Sequence, residues 1–187
     1  MSVLLERRAG ARRSGSASPM TAQELRADFG AHLEANYQQL VAQLYAITLD
    51  ADRAHECVQD AYSRAWRDWA RIGRSPDPTG WVRTVAIRST IRPWLERLAR
   101  FGVRQPTPPV DPGLDPRTTA LLGALRKLAP PERRSVVMHH MIGLSRVKIA
   151  AVERVPMSTI HARLGRGRWA VLAVVGESST GQAEDEE

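Results

Sequence analysis

Cysteine is nearly absent from this chain: Cys57 stands alone among 187 residues. One thiol cannot close an intramolecular disulfide, and it leaves too few sulfur ligands for a cysteine-based zinc site. That scarcity fits a reducing cytoplasm, and it leaves Cys57 to pack as a small apolar group. Long hydrophobic runs are missing too. No stretch approaches the roughly 18 apolar residues that a membrane span requires, so no membrane contact is expected. The opening MSVLLERRAGARRSGSASP has arginines but no long apolar core before a cleavage-like site. It reads as a disordered basic arm, residues 1–20, rather than a signal peptide. Lysine is scarce, since only Lys127 and Lys148 occur among the 27 basic residues. Alternating strand patterns, internal repeats and any catalytic constellation are also lacking. His139 and His140 have no nearby acid to complete a metal site, so neither metal nor cofactor is implied and an enzyme is not expected.

What is present is charge, and it comes in blocks. The net charge is +7. Residues 21–70 carry −4, 71–104 carry +6, 105–116 carry −2, 117–175 carry +9, and the tail 176–187 carries −5. Two basic blocks beside an acidic one suit a polyanionic partner plus a separate protein-binding surface.

The stretch RQPTPPVDPGLDP, residues 104–116, holds five prolines and almost nothing suited to a core. Proline fixes φ and removes an amide donor, so a semi-extended linker is expected over 105–116. Both flanks read as helical. Upstream, in 21–104, Leu33, Tyr37, Leu40, Val41, Leu44 and Tyr45 recur at helical spacing. Asp50 or Asp52 can cap a second helix whose packed side holds Cys57, Val58, Ala61, Ala65, Trp66 and Trp69. A third starts near Gly80 with Trp81, Val82, Val85 and Ala86 as its apolar face, and Pro93 is expected to interrupt it. Downstream, in 117–175, Leu121, Leu122, Leu125 and Leu128 mark a short helix. PPERRSVVMHHMI begins another, with Pro131 in its first turn and Gly143 at its end. Ser145 can cap RVKIAAVE, and Pro156 restarts a helix after a brief turn. The expectation is an all-α chain of two small helical domains, the C-terminal one a helix-turn-helix.

The last helix carries the sharpest signal. At about 100° per residue, Ile160, Leu164 and Val171 share one narrow stripe, which should face a core. Thr159, Ala162 and Arg166 lie opposite, flanked by Ser158 and Arg163. Small residues there let a backbone approach a groove, and arginines reach phosphates or guanine edges. Gly165 and Gly167 each cost on the order of 1 kcal/mol in a helix interior, so fraying or bending is expected near them.

At this point the sequence resembles the extracytoplasmic-function (ECF) sigma factors. LLGALRKLAPPERRSVVMHHMIGLSRVKIAAVERVPMSTIHARLGRGRWAVL is similar to their C-terminal promoter-binding domain. DRAHECVQDAYSRAWRDW is similar to their polymerase-binding helix, and DPTGWVRTVAIR to the start of their −10-element helix. The resemblance implies a bacterial transcription initiation factor whose partners are the clamp helices of core RNA polymerase, promoter DNA and, typically for the family, an anti-sigma factor. It assigns Gln59, Asp60 and Arg64 to the polymerase core. It sets Arg83 and Arg88, with Arg92 nearby, against the −10 strand, where Trp94 is the better-placed of two tryptophans to stack on a base. Ser158, Thr159, Ala162 and Arg163 would face the −35 major groove, with Arg166 alongside. Three positions depart from the family pattern: Pro93 follows VAIR, Lys148 stands where an acid is common, and His161 stands where lysine is common. The rival reading is a sigma-like DNA-binding regulator or adaptor that does not itself initiate transcription.

Overall fold

A computed structural model describes the backbone of residues 21–101 and 115–180, and the side chains within them except at 92–101 and 169–180. The basic arm and nearly all of the proline-rich linker lie outside the described residues. Among those described there is no strand, and the all-α expectation holds.

Helix α1, Ala22–Thr48, opens on a capping box. The Thr21 hydroxyl accepts from the Glu24 amide at 3.2 Å, and Glu24 accepts from the Thr21 amide at 2.7 Å. Two orphan donors are thereby satisfied reciprocally. Leu49 ends the helix in the left-handed region (φ 56°), an unfavourable conformation for leucine, and its side chain is buried. Asp50 then caps α2, Ala51–Trp66, by accepting from the Arg53 amide at 3.0 Å. The buried side of α2 runs Ala54, Cys57, Val58, Ala61, Tyr62 and Ala65, a stripe at three- and four-residue spacing. Trp66 departs from expectation. It is an exposed large hydrophobic residue, whereas Trp69 on the short α3, Trp69–Ile72, is fully buried. The break between α2 and α3 turns Trp69 inward, where its indole N–H donates to Asp28 Oδ2 at 2.7 Å.

Helix α4 spans Pro78–Phe101 without a break. Pro93 was expected to divide it and does not. Proline at 93 removes the amide that would bond to the carbonyl of residue 89. That carbonyl is instead taken by Arg53, whose Nη2 donates to Ser89 O at 3.0 Å.

In the second half, α5 (Pro116–Lys127) is capped by Asp115, which accepts from the amides of Arg117 and Thr118. Helix α6, Pro130–Val136, starts on two prolines and continues into a π-helical turn, Val137–Met141. Gly143, at φ +79°, ends it in a conformation that favours glycine. Ser145 caps α7, Arg146–Glu153, through the Lys148 amide. Arg154 holds the left-handed position of the following turn (φ 55°), and α8 runs Met157–Thr180. It extends into the stretch read from sequence as the acidic tail. Neither Gly165 nor Gly167 breaks it. Gly167 is needed for packing: a Cβ there would sit 2.3 Å from Val136 Cγ2, so α6 and α8 approach too closely for alanine.

One hydrophobic cluster runs through both halves, from Leu40, Leu44 and Ile47 of α1 to Leu125, Val137, Met138, Ile149 and Ile160. Helix α1 packs on α6 and the π turn, and α4 packs on α7. No helix among the described residues is long and apolar enough to cross a membrane.

Candidate nucleic-acid interface

Three groups of residues carry the functional expectations, and the fold sets each in a distinct environment. The first lies on α2. Gln59 is exposed, and Asp60 and Arg64 face solvent one turn apart. They form an i,i+4 ion pair at 2.8 Å. Such pairs contribute a few tenths of a kcal/mol, so both side chains can exchange this contact for a partner's. Exposed Trp66 extends the same helix. Behind it the wall is rigid: Phe29 meets Tyr62, Trp66 and Trp69 at centroid distances of 5.0–5.8 Å. Burial pushes the Tyr62 hydroxyl up to about 12.

The second group lies on α4. Arg83 donates to the buried Gln43 of α1 at 3.0 Å, which fixes its guanidinium against its own half. Arg88 reaches across to α7, donating to the carbonyls of Val152 (3.4 Å) and Ala151 (3.3 Å). Arg92 and Trp94 lie on the same helix, and their side chains are outside the described residues. Trp81 and Val85 are half-buried against the core, as their spacing suggested.

The third group lies on α7, α8 and the short turn between them. Ile160 and Leu164 point into the core. Ser158, Ala162 and Arg166 are exposed, and Thr159 is half-buried. Arg163 is placed differently from the expectation that it stands free on the polar face. Its side chain is 15% exposed and turns back to Glu153 Oε2 at 2.9 Å. Glu153, itself only 2% exposed, is also held by Arg134 at 2.7 Å. A buried carboxylate thus binds two guanidiniums, one from α6 and one from α8. Helical angle put Arg163 near the polar face, but a long side chain at a face boundary follows its strongest partner. Arg166 pairs at 2.5 Å with Glu132 and keeps 61% of its side chain exposed, so it can still reach solvent or phosphate.

Two features were not anticipated. Arg133, 1% exposed, donates through Nε to the Ile47 carbonyl at 2.7 Å and through Nη1 to the Leu125 carbonyl at 3.4 Å. Burial and the neighbouring Arg134 push it down to about 10, so it stays charged near neutral pH. Arg146 donates to His161 Nε2 at 3.0 Å, joining the first turn of α7 to the exposed side of α8. His139 is half-buried with Nδ1 bonded to the Leu144 carbonyl, and His140 is exposed beside it.

The described residues thus form an all-α fold in which the α7–α8 pair packs against the helices of the first half. Residues 32–101 match the sigma-70 region 2 family. The fold is similar to that of the sigma factor RpoE of Bartonella quintana, solved in complex with the anti-sigma factor NepR: TM-score 0.62, 22% identity, 80% of this chain and 97% of that one. It is also similar to CnrH, solved in complex with the cytosolic domain of CnrY: TM-score 0.52, 19% identity, 80% of this chain and 88% of that one. No curated protein sequence matches. The resemblance read from the motifs accords with both findings, a sigma-70 region 2 match over residues 32–101 and a fold similar to that of a solved sigma factor.

Proposed function

We propose that this chain binds core RNA polymerase and directs promoter-specific transcription initiation in the bacterial cytoplasm, as a DNA-binding factor rather than an enzyme. The observation that carries the reading is the region 2 match over residues 32–101, in a chain whose fold follows solved sigma factors along 80% of its length. In this reading Gln59, Asp60 and Arg64 meet the polymerase clamp helices. The α4 arginines 83, 88 and 92, with Trp94, hold the −10 strand. Ser158, Thr159, Ala162 and Arg166 meet the −35 duplex, while Arg163 anchors α8 on Glu153 beneath them. Each contact is weak alone, but a linker of about a dozen residues makes the second intramolecular, a gain of 10²–10⁴. The RpoE neighbour is solved with an anti-sigma factor, which supports a partner of that class here.

The test is in vitro transcription with core polymerase and a promoter library. Promoter-specific transcripts support initiation. Core binding without transcripts would favour the adaptor reading instead, for which the proline at 93 in the −10 helix is the specific motive.

A further inference from the structure

Between α4 and α7 lies a cavity of about 390 Å³. That volume is at the small end of the about 300–1,000 Å³ typical of ligand sites. It is too small to take in a helix of a partner chain, which is about 10–12 Å across with its side chains. What fits it is a small molecule.

The α4 wall is ordered along the helix. Asp77, Trp81, Thr84, Val85 and Arg88 recur at three- and four-residue spacing, and all line the cavity. At 1.5 Å per residue, Asp77 and Arg88 stand about 16 Å apart along the axis, with Trp81 between them. The facing wall supplies Leu144, Lys148 and Val152. Arg88 bonds the Val152 carbonyl, and Lys148 lies one turn before that residue, so both cations share one end. One end is therefore an acceptor, the middle is aromatic and aliphatic, and the other end is cationic.

The polar groups keep capacity for a ligand. Asp77 Oδ1 accepts from the Gly80 amide at 2.7 Å, which leaves Oδ2 to accept a second donor. Arg83 spends Nε on Gln43, and nothing among the described residues takes its two Nη groups. Arg88 donates through Nε and Nη2 at 3.4 and 3.3 Å, long bonds that leave Nη1 over. Lys148 is exposed. Three cations against one acid call for a polyanion, and guanidinium forks match phosphate oxygens in pairs. A bare inorganic anion would leave the apolar middle wet, and an uncharged aromatic would leave the cations unmatched. A flat ring with donors at one end and phosphates at the other meets all three requirements.

We propose that the cavity is a nucleotide site. A nucleoside polyphosphate lies along α4, with a ribose hydroxyl or base amine donating to Asp77, its ring against Trp81, and its phosphates on Arg83, Arg88 and Lys148. Stacking on an aromatic side chain tolerates any base, so the phosphates rather than the base select the ligand. A bound nucleotide occupies two of the arginines read above as −10 contacts and so competes with the −10 strand. That consequence rests on the proposed function; the site itself stands on geometry.

The experiment is isothermal titration of the full chain, without polymerase, with ADP, adenosine and pyrophosphate in turn at physiological ionic strength. ADP should bind saturably, and adenosine and pyrophosphate should each bind more weakly by about tenfold or more. No ADP binding, or pyrophosphate binding as tightly as ADP, overturns the proposal, the latter because a basic patch alone would then suffice. Lys148→Glu, an exposed position, should weaken ADP by about tenfold through one lost charge-assisted contact. An unchanged ADP affinity in that variant would overturn the placement of the phosphates. Val85→Trp should block ADP by filling the cavity with every charge kept, once circular dichroism shows the helices intact. Undiminished ADP binding to that folded variant would place the ligand elsewhere. Failure of the functional reading shows separately: ADP would bind the chain yet leave the capture of a −10 single strand by the chain–polymerase complex unaffected.

Discussion

Arg53 of α2 donates to the carbonyl of Ser89, the acceptor that Pro93 leaves without its helical amide. The two sites are 36 residues apart, and the bond explains how α4 passes through a proline unbroken. An unsatisfied part-buried carbonyl costs about 1–3 kcal/mol. Arg53→Ala should therefore lower unfolding free energy by about that amount. The lost ion pair with Glu56 contributes little, because it lies at the surface. In a Pro93→Ala background the alanine amide takes the carbonyl, and Arg53→Ala should become nearly silent. Urea denaturation of the four chains measures the coupling; additive effects would contradict this account.

Glu153 is the electrostatic centre of the second half. Breaking a buried charge pair by removing one partner costs about 3–5 kcal/mol, because the other charge is left uncompensated. Glu153→Ala leaves Arg134 buried and frees Arg163, so a loss of that size is expected in thermal or denaturant melts. Replacing Glu153 and Arg134 together with methionine should recover much of it.

The two glycines of α8 should respond in opposite directions. At Gly165 nothing lies within 4 Å of a Cβ, and alanine should stabilise the helix by about 1 kcal/mol. At Gly167 the same change drives a methyl into Val136, a buried β-branched residue that cannot rotate away, and should destabilise the fold. Gly167→Ala combined with Val136→Ala should regain part of the loss. Melting temperatures of the four variants decide it.

Acid should weaken the first half through His32. Thr79 donates to Asn36, so its oxygen accepts from His32 Nε2–H, and Nδ1 accepts from the Tyr62 hydroxyl. Burial holds the ring below the ordinary histidine value, against a smaller opposing effect of Asp28. The unfolded chain titrates near 6.5 and binds the proton more readily than the folded one. The stabilisation is thus whole above about that pH and declines as pH falls below it. His140, also held low by burial, adds in the same direction. His32→Gln should flatten the slope of stability against pH between neutrality and pH 5, and an unchanged slope would place the titration elsewhere.

Most of the fold was legible because it rests on local signals. Asp50, Ser145, Pro131 and Gly143 act where caps and breakers act, and the stripe of Cys57, Val58, Ala61 and Ala65 is buried as its spacing required. What sequence could not show are partners distant in the chain. Pro93 read as a break because Arg53 is invisible from its neighbours. Arg163 read as free because Glu153 sits ten positions back across a turn. Trp66 and Trp69 were assigned one face, but the break between α2 and α3 separates them. The Thr21–Glu24 capping box was present in the sequence as T-x-x-E and could have fixed the start of α1. Arg133 had no such signal, since a buried arginine facing carbonyls looks like any other arginine in a basic stretch.

The central claim is that the acidic side of α2 docks on RNA polymerase. Size-exclusion chromatography of the full chain with core polymerase lacking its specificity subunit tests it most directly. The account predicts co-elution at one copy per core, weakened when Asp60 and Arg64 are both replaced by alanine while the chain stays folded. Separate elution of the unaltered chain from the core would contradict it.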